Sequence, residues 1–216
     1  MIVLGLTGSI GMGKSTAAMT LQRLGIPLFD ADRMVHRLLA PGGGAVAPVS
    51  AEFPDVRAAD GGIDRTRLGQ RVFSDPKALS RLERIIHPMV EAGEKQFLGL
   101  CRARRVPIVA LDIPLLFESG SERRCDYVLV VSAPGLIQRQ RVLRRPGMTE
   151  SRLAAILKNQ MPDREKRQRA DFVVPTGLSR NISLRRLRAV VRNLRDGRSQ
   201  IARAVRRPIR RRDRRN

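Results

Sequence analysis

Aromatic residues are scarce in this sequence: it contains no tryptophan, one tyrosine and six phenylalanines among 216 residues. Any hydrophobic core must therefore come mainly from aliphatic side chains, which dominate the 42% hydrophobic fraction. Only two cysteines are present, Cys101 and Cys125, which excludes a disulfide framework and a cysteine-based metal site. No run of about 18 apolar residues occurs, so we expect no membrane-spanning helix. Residues 1–6 lack a basic segment and a cleavage site, so we predict that they form a first strand and not a signal peptide. We accordingly expect a cytoplasmic location.

Acidic residues are also few, 20 against 42 lysines and arginines, so the formal net charge is +22. Residues 197–216 contain nine arginines and one aspartate, a net +8, which leaves +14 for the rest. A basic balance suits a polyphosphate ligand and nucleic acid equally well. Because residues 197–216 have too few apolar side chains to pack, we predict a disordered tail without a role. Contact of this tail with nucleic acid or an anionic surface is the alternative.

Short apolar runs recur along the chain at intervals that leave room for a helix between them. The continuous β-branched run Tyr127–Val131 is typical of a strand that is covered on both faces, as in a parallel sheet. The predicted strands are Ile2–Leu6, Pro27–Phe29, Pro107–Leu111, Asp126–Ser132 and Phe172–Val174. Alternation of such strands with helices predicts an α/β fold with a five-stranded parallel sheet.

Amphipathic helical patterns fill most of the segments between these strands. Ala17, Leu21 and Leu24 share one helical face, and Gly25 predicts the end of that helix. Pro88 lies between two patterns and predicts the start of a second helix there. The predicted helices are Lys14–Leu24, Arg33–Leu39, two helices within 45–105, Pro134–Arg145, Thr149–Gln160 and a closing helix through Leu184 and Leu194.

Residues 8–15 match the phosphate-loop pattern G-x-x-x-x-G-K-[ST], between a predicted strand and a predicted helix. The glycines allow successive backbone N–H groups to point at phosphate oxygens, and the helix N-terminus adds partial positive charge. Lys14 would reach the β and γ phosphates, and Ser15 would give its hydroxyl to Mg²⁺. The pattern predicts a three-layer sandwich of the P-loop NTPase type that binds a nucleoside triphosphate. The predicted binding residues are Gly8, Gly11, Met12, Gly13, Lys14, Ser15 and Thr16.

The phosphate loop does not identify the reaction, because GTPases, ATP-driven machines and kinases all use it. The chain contains no N-K-x-D guanine-reading motif and no L-S-G-G-Q transporter signature. Its small size and its basic helices favour a kinase. One alternative is a kinase for a nucleoside monophosphate or a small sugar acid. A second is an ATPase that binds nucleic acid through the basic surface and is stimulated by it.

The sequence Asp30-Ala31-Asp32 follows the predicted second strand. Ligands of open parallel sheets bind outside the carboxyl ends of the strands. A carboxylate at this position could orient an acceptor hydroxyl and take its proton as it attacks the γ phosphate. We predict that Asp32 is this carboxylate. The alternative is that Asp32 caps the N-terminus of a helix that begins at Arg33.

Basic helices between the fourth and fifth predicted strands predict a lid. Gln138, Arg141 and Arg145 share one helical face. Arginines there could neutralise the charge of the transferring phosphoryl group, and closure would exclude water. The alternative is a solvated basic face. Gln160 falls on the apolar stripe of the next helix, so its amide needs a polar partner.

Several segments resemble, in chain order, the dephospho-CoA kinase family. Gly5–Ser15 and Phe29–His36 resemble the opening of its members, and the resemblance extends over roughly residues 1–195. The other matching segments are Arg71–Phe73 and Leu82–Pro88 (inserted substrate domain), Asp112–Glu118 and Cys125–Asp126 (central strand and loop), Gln138–Arg141 with Arg145 and Gln160 (lid), and Ala170–Val173 (final strand).

This resemblance implies transfer of the γ phosphate of ATP, with Mg²⁺, to the ribose 3′-hydroxyl of dephospho-CoA. The products would be CoA and ADP, in the last step of CoA synthesis. By motif position, Asp32 would be the catalytic carboxylate, and Lys14, Arg141 and Arg145 would act on the phosphates.

The resemblance also implies a domain organisation: a kinase domain at 1–196, a CoA-binding helical insert at about 40–105 and a lid at about 138–168. His36 and His87 would contact the substrate, and Asp112 would hold Mg²⁺ through water or cap a turn. Two positions depart from the family: Pro146, where an acidic residue is usual, and Thr176, which with Pro175 replaces an Asp-Asn pair.

Overall fold

The structure is a computed structural model that describes residues 1–73 and 75–197. The tail predicted to be disordered therefore lies, from residue 198 on, outside the described residues. In the described ranges no helix combines the length and the apolar character that a membrane crossing requires. The chain divides into two compact units. Of the described residues, 1–28 and 106–197 form the sheet unit, and the inserted unit is Phe29–Arg105.

Five strands form one sheet in the order β2-β3-β1-β4-β5. Their bounds are β1 Ile2–Thr7, β2 Leu28–Asp30, β3 Ile108–Asp112, β4 Tyr127–Ser132 and β5 Phe172–Pro175. β1 pairs in parallel with β3 and with β4, and β4 pairs in parallel with β5. The predicted five-stranded parallel sheet is confirmed. Its order places β1, which leads into the phosphate loop, at the centre.

Short connections and side-chain caps define the helices. Asp30, Thr149 and Ser179 each cap a helix by accepting the backbone N–H of the third residue that follows. The helices of the described residues are α1 Lys14–Arg23, α2 Ala31–Leu39, α3 Val46–Glu52, α4 Arg65–Phe73, α5 Pro76–Ala103, α6 Gly135–Leu143, α7 Glu150–Lys158, α8 Asp163–Arg169 and α9 Arg180–Arg195, with short 3₁₀ helices at Pro54–Val56 and Ser121–Arg124.

The core of the sheet unit lies between the central strands and two helices. Leu4 and Leu129 face Leu21 of α1 and Leu187 of α9 in one buried aliphatic cluster. Each such leucine contributes about 1.5–3 kcal/mol to folding through its burial. Val130 points to the opposite face of β4 and is also fully buried. Both faces of the sheet are therefore covered, as the β-branched pattern predicted.

The inserted unit has its own core, formed by side chains from α2 to α5. Phe53, Val56 and Leu68 are buried there together with Ile86. The long helix α5 packs against α2, α3 and α4. Four helices that enclose a separate aliphatic core explain why this stretch forms a compact unit of its own.

The prediction that Pro88 begins a second helix is wrong, because α5 runs without interruption from Pro76 to Ala103. An internal proline removes one backbone hydrogen bond and costs about 3 kcal/mol. Buried residues on both sides of Pro88, including Ile86 and Leu98, hold the two halves in line. Burial of two such side chains offsets a cost of that size.

Candidate functional site

The loop between β1 and α1 requires its glycines for two reasons. Gly11 and Gly13 have φ angles of +76° and +85°, in the left-handed region that favours glycine. A Cβ on Gly11 would lie 2.6 Å from Cγ2 of Val142, and a Cβ on Gly8 would lie 2.7 Å from the carbonyl oxygen of Val131. The loop is therefore packed tightly against α6 and β4.

Backbone N–H groups without acceptors collect at the end of this loop. In the described part of the chain, no acceptor contacts the N–H groups of Gly11, Gly13, Lys14 or Ser15. The first turn of α1 contains no acidic residue, so the partial positive charge of the helix N-terminus is not neutralised there. Successive free N–H groups at a helix N-terminus are suited to bind an anion such as phosphate.

The ammonium group of Lys14 is held by a carboxylate from the neighbouring strand. Its Nζ lies 2.6 Å from Oδ1 of Asp112, the last residue of β3. The Lys14 side chain is 18% exposed and that of Asp112 is 4% exposed. This ion pair fixes the direction of the Lys14 side chain, and it places Asp112 at the phosphate loop.

The residues available for Mg²⁺ are a hydroxyl and a carboxylate. Ser15 and Thr16 are both exposed in the first turn of α1. No group of three or more His, Cys, Asp or Glu side chains in the described ranges could hold a metal ion by itself. Mg²⁺ at phosphate sites takes one or two protein oxygens and completes its shell with phosphate and water. Ser15, with Asp112 acting through water, fits that requirement.

Arg141 of α6 reaches the phosphate loop. Its Nη2 donates to the carbonyl oxygen of Thr176 at 2.6 Å, and its Nη1 lies 3.4 Å from the carbonyl oxygen of Gly11. These acceptors are neutral, and among the described residues no carboxylate compensates the guanidinium charge. A half-buried guanidinium in this state is suited to bind phosphate. Arg145 is exposed beyond the end of α6, and no described contact joins it to the loop.

Thr176 supports the phosphate loop, a role that sequence analysis missed. Its Oγ1 donates to the carbonyl oxygen of Met12 at 2.6 Å, and its N–H donates to the carbonyl oxygen of Ser132 at 2.8 Å. Its own carbonyl accepts from Arg141. The sequence identified this threonine only as a departure from the family. The second departure, Pro146, is exposed outside α6 and interrupts no helix.

Within the inserted unit, Asp30 rather than Asp32 caps α2. Oδ1 of Asp30 accepts the N–H of Arg33 at 2.9 Å, and the helix begins at Ala31. The alternative that Asp32 is an N-cap is therefore wrong. Asp32 is the second residue of α2. Its side chain is exposed and has no partner among the described residues. Its carboxylate is available to a ligand.

The two histidines of the chain both lie in the inserted unit. His36 is exposed on α2, and its ring nitrogens are within hydrogen-bond distance of Nη1 of Arg65. His87 is exposed on α5, one residue before Pro88. Neither is buried, so core packing does not account for either ring.

A buried ion pair fixes α8 to the sheet unit. Nζ of Lys166, whose side chain is 0% exposed, lies 2.9 Å from Oε1 of Glu118. The same oxygen accepts the N–H of Met161 at 2.7 Å. Oγ of Ser132 also donates to Oδ2 of Asp163 at 2.7 Å. Sequence analysis missed Lys166, because a lysine within the charged segment of α8 has the pattern of an exposed residue.

We expect this ion pair to make stability depend on acid pH. Partial burial raises the pKa of the Glu118 carboxyl, but Lys166 and the Met161 N–H outweigh that effect, so the pKa lies below the ordinary 4.5. A lowered folded-state pKa stabilises above the ordinary value, and this stabilisation is lost as pH falls through the folded pKa. Near pH 6 the free energy of unfolding should be larger for wild type than for Glu118→Gln. This difference should become smaller below pH 4.5.

Urea unfolding of wild type and Glu118→Gln over this pH range measures the difference in their free energies of unfolding. Glu83→Gln, which alters an exposed carboxylate on α5, is the control and should show a much smaller change with pH. A gap between wild type and Glu118→Gln that is independent of pH would contradict the assignment.

Comparisons with known proteins show which family this chain resembles. The family model for dephospho-CoA kinase matches residues 2–179. The dephospho-CoA kinase of Paramagnetospirillum magneticum is 59% identical over 92% of this chain and 93% of its own length. That of Rhodospirillum rubrum is 55% identical over 91% of this chain and 93% of its own length.

Solved structures are similar over nearly the whole chain. Dephospho-CoA kinase from Campylobacter jejuni has a TM-score of 0.70 at 25% identity and covers 91% of this chain and 98% of its own. A crystal structure of a Thermus thermophilus protein has a TM-score of 0.79 at 36% identity, with 89% and 97% covered. The matched range begins in β1 and extends beyond β5, so it includes the phosphate loop, Asp112, Arg141 and Thr176. The chain belongs to the dephospho-CoA kinase family.

Proposed function

We propose that the protein transfers the γ phosphate of ATP to the ribose 3′-hydroxyl of dephospho-CoA and releases CoA and ADP. The observation that carries this proposal is the phosphate loop with its free N–H groups, Lys14 and the uncompensated Arg141, in a chain of this family. These groups supply several positive charges or donors for one polyphosphate. The family match supports dephospho-CoA as the acceptor.

The residues of the sheet unit would act on the nucleotide. The N–H groups of Gly11, Gly13, Lys14 and Ser15 bind phosphate oxygens, as their lack of intramolecular acceptors allows. Lys14 and Arg141 stabilise the negative charge on the transferring group, and Arg145 joins them when the lid closes. Ser15, with Asp112 through water, would hold Mg²⁺, which when bound neutralises phosphate charge. Gly8, Met12 and Thr16 complete the ATP site.

The residues of the inserted unit would act on the acceptor. Asp32 accepts the hydrogen bond of the 3′-hydroxyl and takes its proton as the oxygen attacks phosphorus. Its exposure and its freedom from capping leave the carboxylate available for this role. His36 and His87 contact the substrate, and the insert at about 40–105 binds the CoA moiety.

The lid would comprise about residues 138–168, which lie in α6, α7 and α8. Both of its ends are attached, and its middle is not. α6 is held at the phosphate loop through Arg141, and α8 is fixed through Lys166 and Asp163. Arg145 and the start of α7 carry no described contact with the sheet. We therefore place the movement that brings in Arg145 between α6 and α8.

Contact of the basic tail with nucleic acid and a cytoplasmic location remain predictions from the sequence.

The proposal is tested with purified full-length protein, ATP and Mg²⁺, with and without dephospho-CoA. CoA and ADP are measured by chromatography, and parallel reactions offer AMP, shikimate, gluconate, RNA or DNA. We expect one CoA for each ADP, and no comparable ADP with the other additions. ADP that accumulates with another acceptor would overturn the substrate, and ADP release stimulated only by nucleic acid would overturn the kinase assignment.

A further inference from the structure

Two glutamines hold one residue of the phosphate loop from both sides. Nε2 of Gln138 donates to the carbonyl oxygen of Ile10 at 2.8 Å. Oε1 of Gln160 accepts the N–H of Ile10 at 3.1 Å. Gln138 lies on α6 and is only 8% exposed, whereas Gln160 follows α7. The polar partner that sequence analysis required for Gln160 is therefore the phosphate loop itself.

The orientation of both amides is determined by the backbone atoms that they contact. A carbonyl oxygen only accepts, so Gln138 must present its nitrogen to Ile10. A backbone N–H only donates, so Gln160 must present its oxygen. The two contacts thus have opposite hydrogen-bond polarity, although the side chains are the same.

The contact with Gln138 also orients the next N–H group. In a trans peptide the carbonyl and the following N–H point in opposite directions. Because the Ile10 carbonyl points toward α6, the Gly11 N–H points away from it. That N–H is one of the groups without an acceptor in the described part of the chain.

The contact with Gln160 acts on the preceding peptide in the same way. The Ile10 N–H is held toward Gln160. The Ser9 carbonyl of the same peptide therefore points the opposite way, where it accepts the Met12 N–H at 3.1 Å. Gly11 has a φ of +76°, in a segment that glycine leaves free to rotate. Two side-chain contacts on Ile10 therefore restrict the part of the loop that would otherwise change conformation most readily.

We propose that Gln138 and Gln160 are positioning residues that preorganise the phosphate loop for ATP by holding both polar groups of Ile10. Neither needs to touch the nucleotide. The loop that they hold presents the Gly11 N–H before ATP arrives, so binding does not have to order it. This inference rests on the ATP site of the proposed function and is independent of the acceptor.

The opposite polarity of the contacts permits a matched test on the full-length protein. Gln160→Glu keeps an acceptor for the Ile10 N–H, whereas Gln138→Glu removes a donor and sets a carboxylate against a carbonyl. Both variants add the same charge near the same residue. Gln22→Glu, on the exposed side of α1, adds that charge elsewhere and serves as the control.

Isothermal titration calorimetry with ATP and Mg²⁺, without an acceptor, gives the Kd of each variant. We expect Gln138→Glu to raise the Kd about tenfold more than Gln160→Glu does, and Gln22→Glu to match wild type. In CoA formation, KM for ATP should rise more than kcat falls. Thermal unfolding monitors the fold, because Gln138 is buried.

Equal increases for both glutamate variants would show a charge effect alone and would overturn the proposal, as would wild-type affinity in Gln138→Glu. If that variant does not fold, Gln138→Leu and Gln160→Leu replace the pair. Each should then raise the Kd about tenfold, and the double variant should be less than additive, since both contacts hold Ile10. A protein that meets these expectations but forms no CoA would overturn the proposed acceptor only.

Discussion

Replacing Lys14 with methionine is expected to lower kcat/KM for CoA formation at least about a hundredfold. Methionine has a similar length but no charge, so the γ phosphate loses the ammonium that stabilises it during transfer. The ion pair with Asp112 holds the lysine at the phosphate loop, beside the end of β3. Initial rates over a range of ATP concentrations measure the effect.

Two further variants separate charge from geometry. Lys14→Arg should not restore activity, because a planar guanidinium does not fit where a compact ammonium lies. Arg23→Met removes a charge from the exposed end of the same helix and should keep kcat/KM close to wild type. Wild-type activity in Lys14→Met, with a normal unfolding temperature, would contradict the position assigned to this lysine.

Asp32→Asn is expected to lower kcat for CoA formation by between about 100-fold and 10,000-fold, the range typical for loss of a general base. Asparagine keeps the shape and still accepts a hydrogen bond, but it cannot take the proton of the acceptor hydroxyl. The Kd for ATP should stay close to wild type. Single-turnover rates and calorimetry measure the two quantities separately.

Asp30→Asn provides the matched control for this substitution. Asp30 is two residues away, and its Oδ1 caps α2. Asparagine caps a helix about as well as aspartate, so both stability and kcat should change little. If Asp30→Asn abolished turnover and Asp32→Asn did not, the catalytic carboxylate would have been assigned to the wrong residue of the pair.

Much of the fold could be predicted from local pattern. The phosphate loop is recognisable in one sequence because eight consecutive residues carry the chemistry, and the strand and helix on either side have clear periodicity. The run Tyr127–Val131 indicated a strand buried on both faces, which β4 confirms. Asp112 was singled out only by the family resemblance, and the structure places it beside Lys14.

Where local rules and packing oppose each other, the prediction was wrong. Pro88 disfavours a continuous helix, yet packing against α2, α3 and α4 holds α5 together. The alternative that Asp32 is an N-cap assumed a helix that begins at Arg33, whereas α2 begins at Ala31, and pattern does not resolve a boundary to within two residues.

The chain by itself thus predicted the family and the parallel sheet, which are confirmed, and a set of phosphate-binding residues, which stays a prediction, because each depends on a short segment or on periodicity. Tertiary structure alone decided which side chains support the loop: Gln138 and Gln160 on Ile10, Thr176 on Met12, and Lys166 on Glu118. The partners in each pair are separated by between 48 and 164 residues. No local pattern connects such residues. They come within hydrogen-bond distance only because α6, α8 and the end of β5 pack against the sheet.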